Sequence, residues 1–258
     1  MSFPPPLPSW LVPIQPPFTI PNISYCAYAF DAPQETELQS MIDSHFPDFQ
    51  FPTHLKAAVF KRKLHYFLGR ACIAQALEKL GHPRVQVETN PDRSPKWPSG
   101  ILGALTHTDR WVMTAVAASG HFLGIGIDSE EISRATPIEK IAQSFADEQE
   151  KQLMHYANLP LRTWLFLIFS AKESLFKALY PIKREYFGFE HARVVSISPD
   201  QRVELPFSGS FFIQLTHPKN GFLQGTAFKG LYQVSQSQVH TWIGIHQEAA
   251  SPPMEETL

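Results

Sequence analysis

The run Gly124-Ile125-Gly126-Ile127-Asp128-Ser129-Glu130 constrains this chain more than any other stretch. It is apolar, carries two glycines and ends in two acids placed two residues apart. Side chains two apart on a β-strand share a face, so Asp128 and Glu130 are expected side by side. Like charges held that close repel unless a cation lies between them. Further on, Phe169-Ser170-Ala171-Lys172-Glu173-Ser174-Leu175-Phe176-Lys177-Ala178 reads as part of a helix. Together the segments offer three carboxylates, Asp128, Glu130 and Glu173, to a hard cation, and two lysines, Lys172 and Lys177, to phosphates. Mg²⁺ takes oxygen ligands, commonly a few carboxylates with water and phosphate oxygens, and Mn²⁺ remains open beside it. Taken singly, each feature has an ordinary reading as well. An Asp-x-Glu pair is common on surfaces, Glu173 and Lys177 make an i,i+4 helix pair, and a strand-end histidine such as His107 can be a satisfied structural one.

At 258 residues the chain can bury a substantial core in one or two domains. A net charge of −2 names no partner. Its distribution says more. Residues 1–53 hold five acids and no Lys or Arg, whereas residues 54–96 hold nine basic residues against three acids. Such a block suits an anionic small ligand, or is a solvated helix face. Cys26 and Cys72 lack metal-ligand spacing and are expected to pack as small buried hydrophobes in a reducing compartment. No signal peptide is expected, and no apolar run approaches the ~18 residues of a membrane helix. The expectation is a cytoplasmic protein with neither a nucleic-acid nor a membrane partner.

Residues 1–22 are Pro-dense and favour extended chain, either a tail or a segment pinned by Trp10, Leu11, Ile14 and Phe18. Helical spacing marks 54–80, stopped by Gly81 and Pro83, then 138–157, and 160–180 ending at Pro181. In the last of these Lys172 interrupts an apolar stripe and needs a partner or an anion. Strands are expected at 102–107, 111–118, 122–128, 191–197, 210–216, 223–230 and 239–245. Leu105-Thr106-His107 is echoed by Leu215-Thr216-His217, and the run from His121 by the run from His240, which agrees with a fold of two similar halves.

In order and separation these segments resemble the 4'-phosphopantetheinyl transferase superfamily, in its longer surfactin- and enterobactin-type class. That pattern has a hydrophobic-Gly-hydrophobic-Asp-x-Glu strand followed by an aromatic-Ser-x-Lys-Glu-Ser/Ala-x-x-Lys helix. Ahead of the strand stands Leu105-Thr106-His107, where the family usually ends Ser-His. Pro95-Lys96-Trp97-Pro98-Ser99-Gly100 is similar to a loop of the enterobactin branch, and Phe187-Gly188-Phe189 to a later motif. The resemblance covers roughly residues 60–230. Ala104 and Thr106 depart from the usual serines, and only Thr106 keeps a hydroxyl.

The resemblance implies an α/β (α+β) fold of two similar halves packed as a pseudo-dimer, with coenzyme A in the cleft, and a monomer. The halves fall at 23–121 and 122–258, behind the Pro-rich segment 1–22. The implied activity is transfer of 4'-phosphopantetheine from coenzyme A to a serine of an apo acyl- or peptidyl-carrier protein, releasing adenosine 3',5'-bisphosphate. In the implied roles Asp128, Glu130 and Glu173 hold Mg²⁺, and Glu173 also takes the serine proton. Lys177 neutralises the diphosphate, supported by Lys172. His107 and Thr106 grip the 3'-phosphate or ribose, with Arg62, Lys63 and Arg70 as further phosphate contacts and Lys96 in a covering loop. Arg134, Lys140 and Lys151 are candidates for meeting an acidic carrier. A coenzyme A-binding protein without catalysis and a Mg²⁺-dependent diphosphate hydrolase are the alternatives.

Overall fold

The computed structural model describes residues 6–200 and 205–247. The chain is a mixed α/β protein that divides into two compact units, residues 1–99 with 105–116, and residues 100–104 with 117–258.

The first unit begins with β1 (Leu11–Pro13), β2 (Ser24–Phe30), α1 (Glu35–His45) and α2 (Phe60–Lys79). Two further strands, β3 (Ile101–His107) and β4 (Trp111–Ala118), complete a sheet of order β1-β2-β4-β3. The Pro-dense segment is therefore pinned from Trp10 onward. Leu11 pairs with Phe30 and Pro13 with Tyr28, and Trp10, Leu11 and Phe18 are buried. Pro13 sits on an edge strand, where its missing N–H costs no ladder bond. Helix α2 begins later than the spacing predicts, because Thr53–Leu55 forms a separate 3-10 turn before Phe60. It packs on β2, and its Leu64, Phe67, Leu68, Cys72 and Leu77 are buried, as are Val112 and Met113 of β4; both cysteines are free and buried.

The second unit is built on β5 (Phe122–Glu131), followed by three short helices, α3 (Ile138–Ile141), α4 (Glu148–Gln152) and α5 (Met154–Ala157). The single helix expected over 138–157 is thus broken. Asp147 starts α4 with a reciprocal capping box to Glu150, and Asn158 ends α5 in the left-handed region at φ 52°. Helix α6 (Leu161–Lys183) runs past Pro181, where a stop was expected. Proline so near the end forfeits one bond of the last turn, and the helix closes at Arg184, φ 56°, whose N–H reaches the Tyr180 carbonyl at 2.7 Å. Strands β6 (Ala192–Pro199), β7 (Phe207–Leu215), β8 (Ala227–Val234) and β9 (Gln238–His246) complete an antiparallel sheet of order β5-β9-β8-β7-β6. The echoed runs from His121 and His240 lie side by side here, as neighbours β5 and β9.

Helix α6 lies on this sheet. Trp164, Leu165, Ile168, Leu175 and Leu179 bury against Val194, Phe211, Ile213, Tyr232, Ile243 and Ile245, an apolar contribution to the unit's stability. Where α6 crosses β5 the approach is backbone to backbone. A methyl group on Gly124 would overlap the Ala178 carbonyl oxygen, and one on Gly126 the Ser174 carbonyl oxygen. Ser170 and Ser174 then bond Thr241 of β9 at 2.9 and 2.7 Å, locking the helix at that height.

Candidate active site

Gly124, Gly126, Asp128 and Glu130 alternate onto one face of β5, the face α6 covers. The glycines bring the helix down, and the acids emerge where it passes. Lys177 Nζ consequently reaches Asp128 Oδ1 at 2.7 Å, with Asp128 buried and Lys177 a quarter exposed. Glu130 is half-buried, and its pKa is pushed up to about 8, by burial first and then by the charge of Asp128, with Lys177 opposing and Glu173 adding. Burial also raises Glu173, Lys177 opposes, and Asp128 raises it further. The three carboxylates feel one another's charge, with Lys177 as the opposing cation.

That donor set is all oxygen, and its two raised carboxyls gain from a nearby hard cation. Among the described residues no group of three or more His, Cys, Asp or Glu side chains closes to metal-binding geometry, and one Asp128 oxygen is engaged by Lys177.

Beside Glu173 lies a cavity of about 270 Å³, walled by Phe176, Tyr186, Phe187 and Phe189, with Lys172 and Glu173 in its lining. The Phe187-Gly188-Phe189 motif thus forms its wall. Lys172 itself turns inward to Glu150 at 2.9 Å. Behind β5, Ser129 Oγ bonds His240 Nδ1 at 2.8 Å, and burial holds His240 down at about 4.

In the first unit, Arg62, Arg70 and His107 line one cavity of about 440 Å³. Arg70 donates to Thr89 Oγ1 at 2.7 Å and stacks over Tyr66 at 4.6 Å. The His65 and His107 rings lie 4.8 Å apart. The other expected phosphate contacts fall elsewhere. Lys63 lines a different cavity, against α1. Lys96 pairs with Glu88 at 2.9 Å on the surface. Thr106 alternates to the opposite face of β3 from Leu105 and His107 and is buried. Arg134 and Lys140 are exposed, and Lys151 pairs with Glu148 at 2.6 Å.

Sequence reasoning missed Glu150, His65, Tyr66 and Thr89. Two signals were present: Asp147-x-x-Glu150 is a capping-box pattern, and Tyr66 stands four residues before Arg70, on one helix face. His65 and Thr89 gave none, since their partners come from distant chain.

Comparison with known proteins follows the same division. The profile of the 4'-phosphopantetheinyl transferase N-terminal domain matches residues 51–117, and that of the 4'-phosphopantetheinyl transferase superfamily matches residues 124–224. The chain is 30% identical over 207 residues to the 4'-phosphopantetheinyl transferase Npt of Nocardia iowensis, covering 75% of this chain and 91% of that protein. It is 28% identical over 235 residues to the 4'-phosphopantetheinyl transferase Svp of Streptomyces mobaraensis, covering 90% and 89%. Enterobactin synthase component D of Salmonella typhimurium is 32% identical over 144 residues, covering 56% and 59%. Matched by both profiles, and by a relative 30% identical and covered over 91% of its length, the chain belongs to the 4'-phosphopantetheinyl transferase superfamily.

Proposed function

We propose that the protein transfers the 4'-phosphopantetheine group of coenzyme A to a serine of an apo acyl- or peptidyl-carrier protein. One observation supports the assignment of the chemistry to α6 and β5: two glycines of β5 admit α6 to backbone contact, so that Lys177 meets Asp128 beside two carboxylates of raised proton affinity.

Asp128, Glu130 and Glu173 are the residues that would hold Mg²⁺, or Mn²⁺ in its place. When bound, the ion supplies charge stabilisation at the diphosphate oxygens. Lys177 adds a cation to that charge. Glu173 receives the serine hydroxyl proton on a carboxylate oxygen. The serine oxygen bonds to the phosphorus on the pantetheine side, the bond to the bridging oxygen breaks, and adenosine 3',5'-bisphosphate leaves. Arg62, Arg70 and His107 are assigned to the 3'-phosphate end of coenzyme A, with Arg70 pre-set by Thr89 and Tyr66. Lys63, Lys96 and Thr106 have weaker claims, from their placement. Residues 23–121 and 122–258 are assigned to the two halves of the family architecture. We further infer a cytoplasmic monomer whose macromolecular substrate is a protein.

Intact-mass analysis of a panel of apo carriers with coenzyme A and Mg²⁺ tests this. A metal-dependent gain of one phosphopantetheine supports the transferase. Coenzyme A binding with no gain on any carrier would favour a non-catalytic binder, and cleavage without a carrier a hydrolase.

A further inference from the structure

Lys172 precedes Glu173 on α6, yet its side chain turns into the protein, 5% exposed, and its partner Glu150 is 0% exposed. Lys172 Nζ donates to Glu150 Oε2 at 2.9 Å and to the Phe189 carbonyl at 3.2 Å. Glu150 Oε1 accepts the Val194 N–H at 2.9 Å, and Oε2 also accepts the Asp147 N–H at 3.0 Å. Asp147 Oδ1 in turn accepts the Glu150 N–H at 2.9 Å, and Trp164 Nε1 donates to the Glu150 carbonyl at 2.8 Å. One ion pair thus ties α4, α6, β6 and the turn at Phe189–His191 together.

Stability alone does not account for it. Desolvating two charges offsets most of their attraction, and a well-packed apolar pair often does as well. A fully hydrogen-bonded buried network instead fixes one arrangement of the parts it joins. The part fixed here is the wall of the aromatic cavity. Phe189, whose carbonyl Lys172 holds, lines that cavity together with Glu173.

We propose that Glu150 and Lys172 are positioning residues of the transfer reaction. Their pair holds the Phe189 wall and the Lys172–Glu173 turn of α6 in the arrangement that aims Glu173 at the incoming serine. Lys172 makes no contact with the coenzyme A diphosphate. This rests on the transferase reading above.

The test uses the full chain with Lys172→Met, Glu150→Gln and both together. The double variant leaves no uncompensated buried charge and keeps the readouts available if a single variant fails to fold. Coenzyme A affinity is measured by calorimetry with Mg²⁺ and no carrier, and kcat and carrier KM by holo-carrier formation. The coenzyme A Kd is expected to stay within about twofold of the unaltered protein. The kcat is expected to fall about 10- to 100-fold, as for a small misplacement of a reacting group. The double variant should be no worse than the poorer single one, since the pair acts as a unit. A coenzyme A Kd weakened about tenfold or more in Lys172→Met, with a salt-dependent loss, would make Lys172 a phosphate ligand and overturn the proposal. So would a folded double variant with unchanged kcat. If the unaltered protein modifies no carrier, the transferase reading fails instead, and the coenzyme A titration still decides whether Lys172 contacts the ligand.

Discussion

Lys177 is the cation that meets Asp128 directly, and its replacement separates charge neutralisation from binding. Lys177→Met is expected to lower kcat by about 100-fold, the effect of losing one preorganised electrostatic group, with carrier KM little changed in steady-state assays. Glu130 carries the clearest pH signature. Its folded pKa of about 8 lies above the ordinary 4.5. Between those values the folded protein keeps a proton that the unfolded chain has released, so stability falls as pH rises through the window. The metal-free protein should therefore melt lower at about pH 8 than at about pH 5. Glu130→Gln should flatten that slope, and Mg²⁺ should restore stability most at the alkaline end. Thermal melts across pH, with and without the ion, check all three. At this scale the acids of β5 and the Lys-Glu-x-x-x-Lys of α6 were legible because strand and helix periodicity place neighbours of the same element. The pairings of Glu150 with Lys172 and of His65 with His107 were not, because the partners come from distant parts of the chain.

The glycines of β5 set how closely helix and strand approach. Gly126→Ala puts a methyl group into the Ser174 carbonyl. It should cost about 3 kcal/mol or more, the upper end for overpacking, since backbone cannot swing aside as a side chain can. Denaturant titration measures the loss, and activity should fall with it as α6 is lifted. The Pro-dense N-terminal segment now has a different expectation from that of a tail. Deleting residues 1–22 removes β1 and exposes what Trp10, Leu11 and Phe18 cover. Each such side chain contributes about 1.5–3 kcal/mol on burial, so the melting temperature should drop by several degrees, and an unchanged melt would return the segment to a tail. Element existence was legible for α2, for β3, β4, β5 and α6 and for the late strands, whereas β2 and α1 were not anticipated. Boundaries were less so. The stretch 138–157 keeps helical spacing, but the Asp147 cap and the left-handed Asn158 divide it, and Pro181 falls inside the final turn instead of ending the helix.

Across the whole chain, the two compact units carry different parts of the expected chemistry: basic and aromatic side chains line a cavity in the first, and carboxylates and lysines gather in the second. Arg62→Ala and Arg70→Ala should weaken coenzyme A binding by about 1.5–3 kcal/mol each, the worth of a hydrogen bond to a charged group. They should leave binding of coenzyme A lacking its 3'-phosphate almost unaltered, and paired titrations with the two ligands show whether that end of the molecule is what the arginines read. The contact of α6 with β5 has a practical corollary. Because main-chain atoms limit the approach, the spacing of Asp128 and Lys177 is not set by the shapes of the apolar side chains under the helix. The interior of the second unit is thus open to redesign. Variants at Leu175, Phe211 or Ile243 should give up heat tolerance well before they give up turnover, and a laboratory lineage selected for thermal endurance has room to change there while its catalytic geometry is inherited intact.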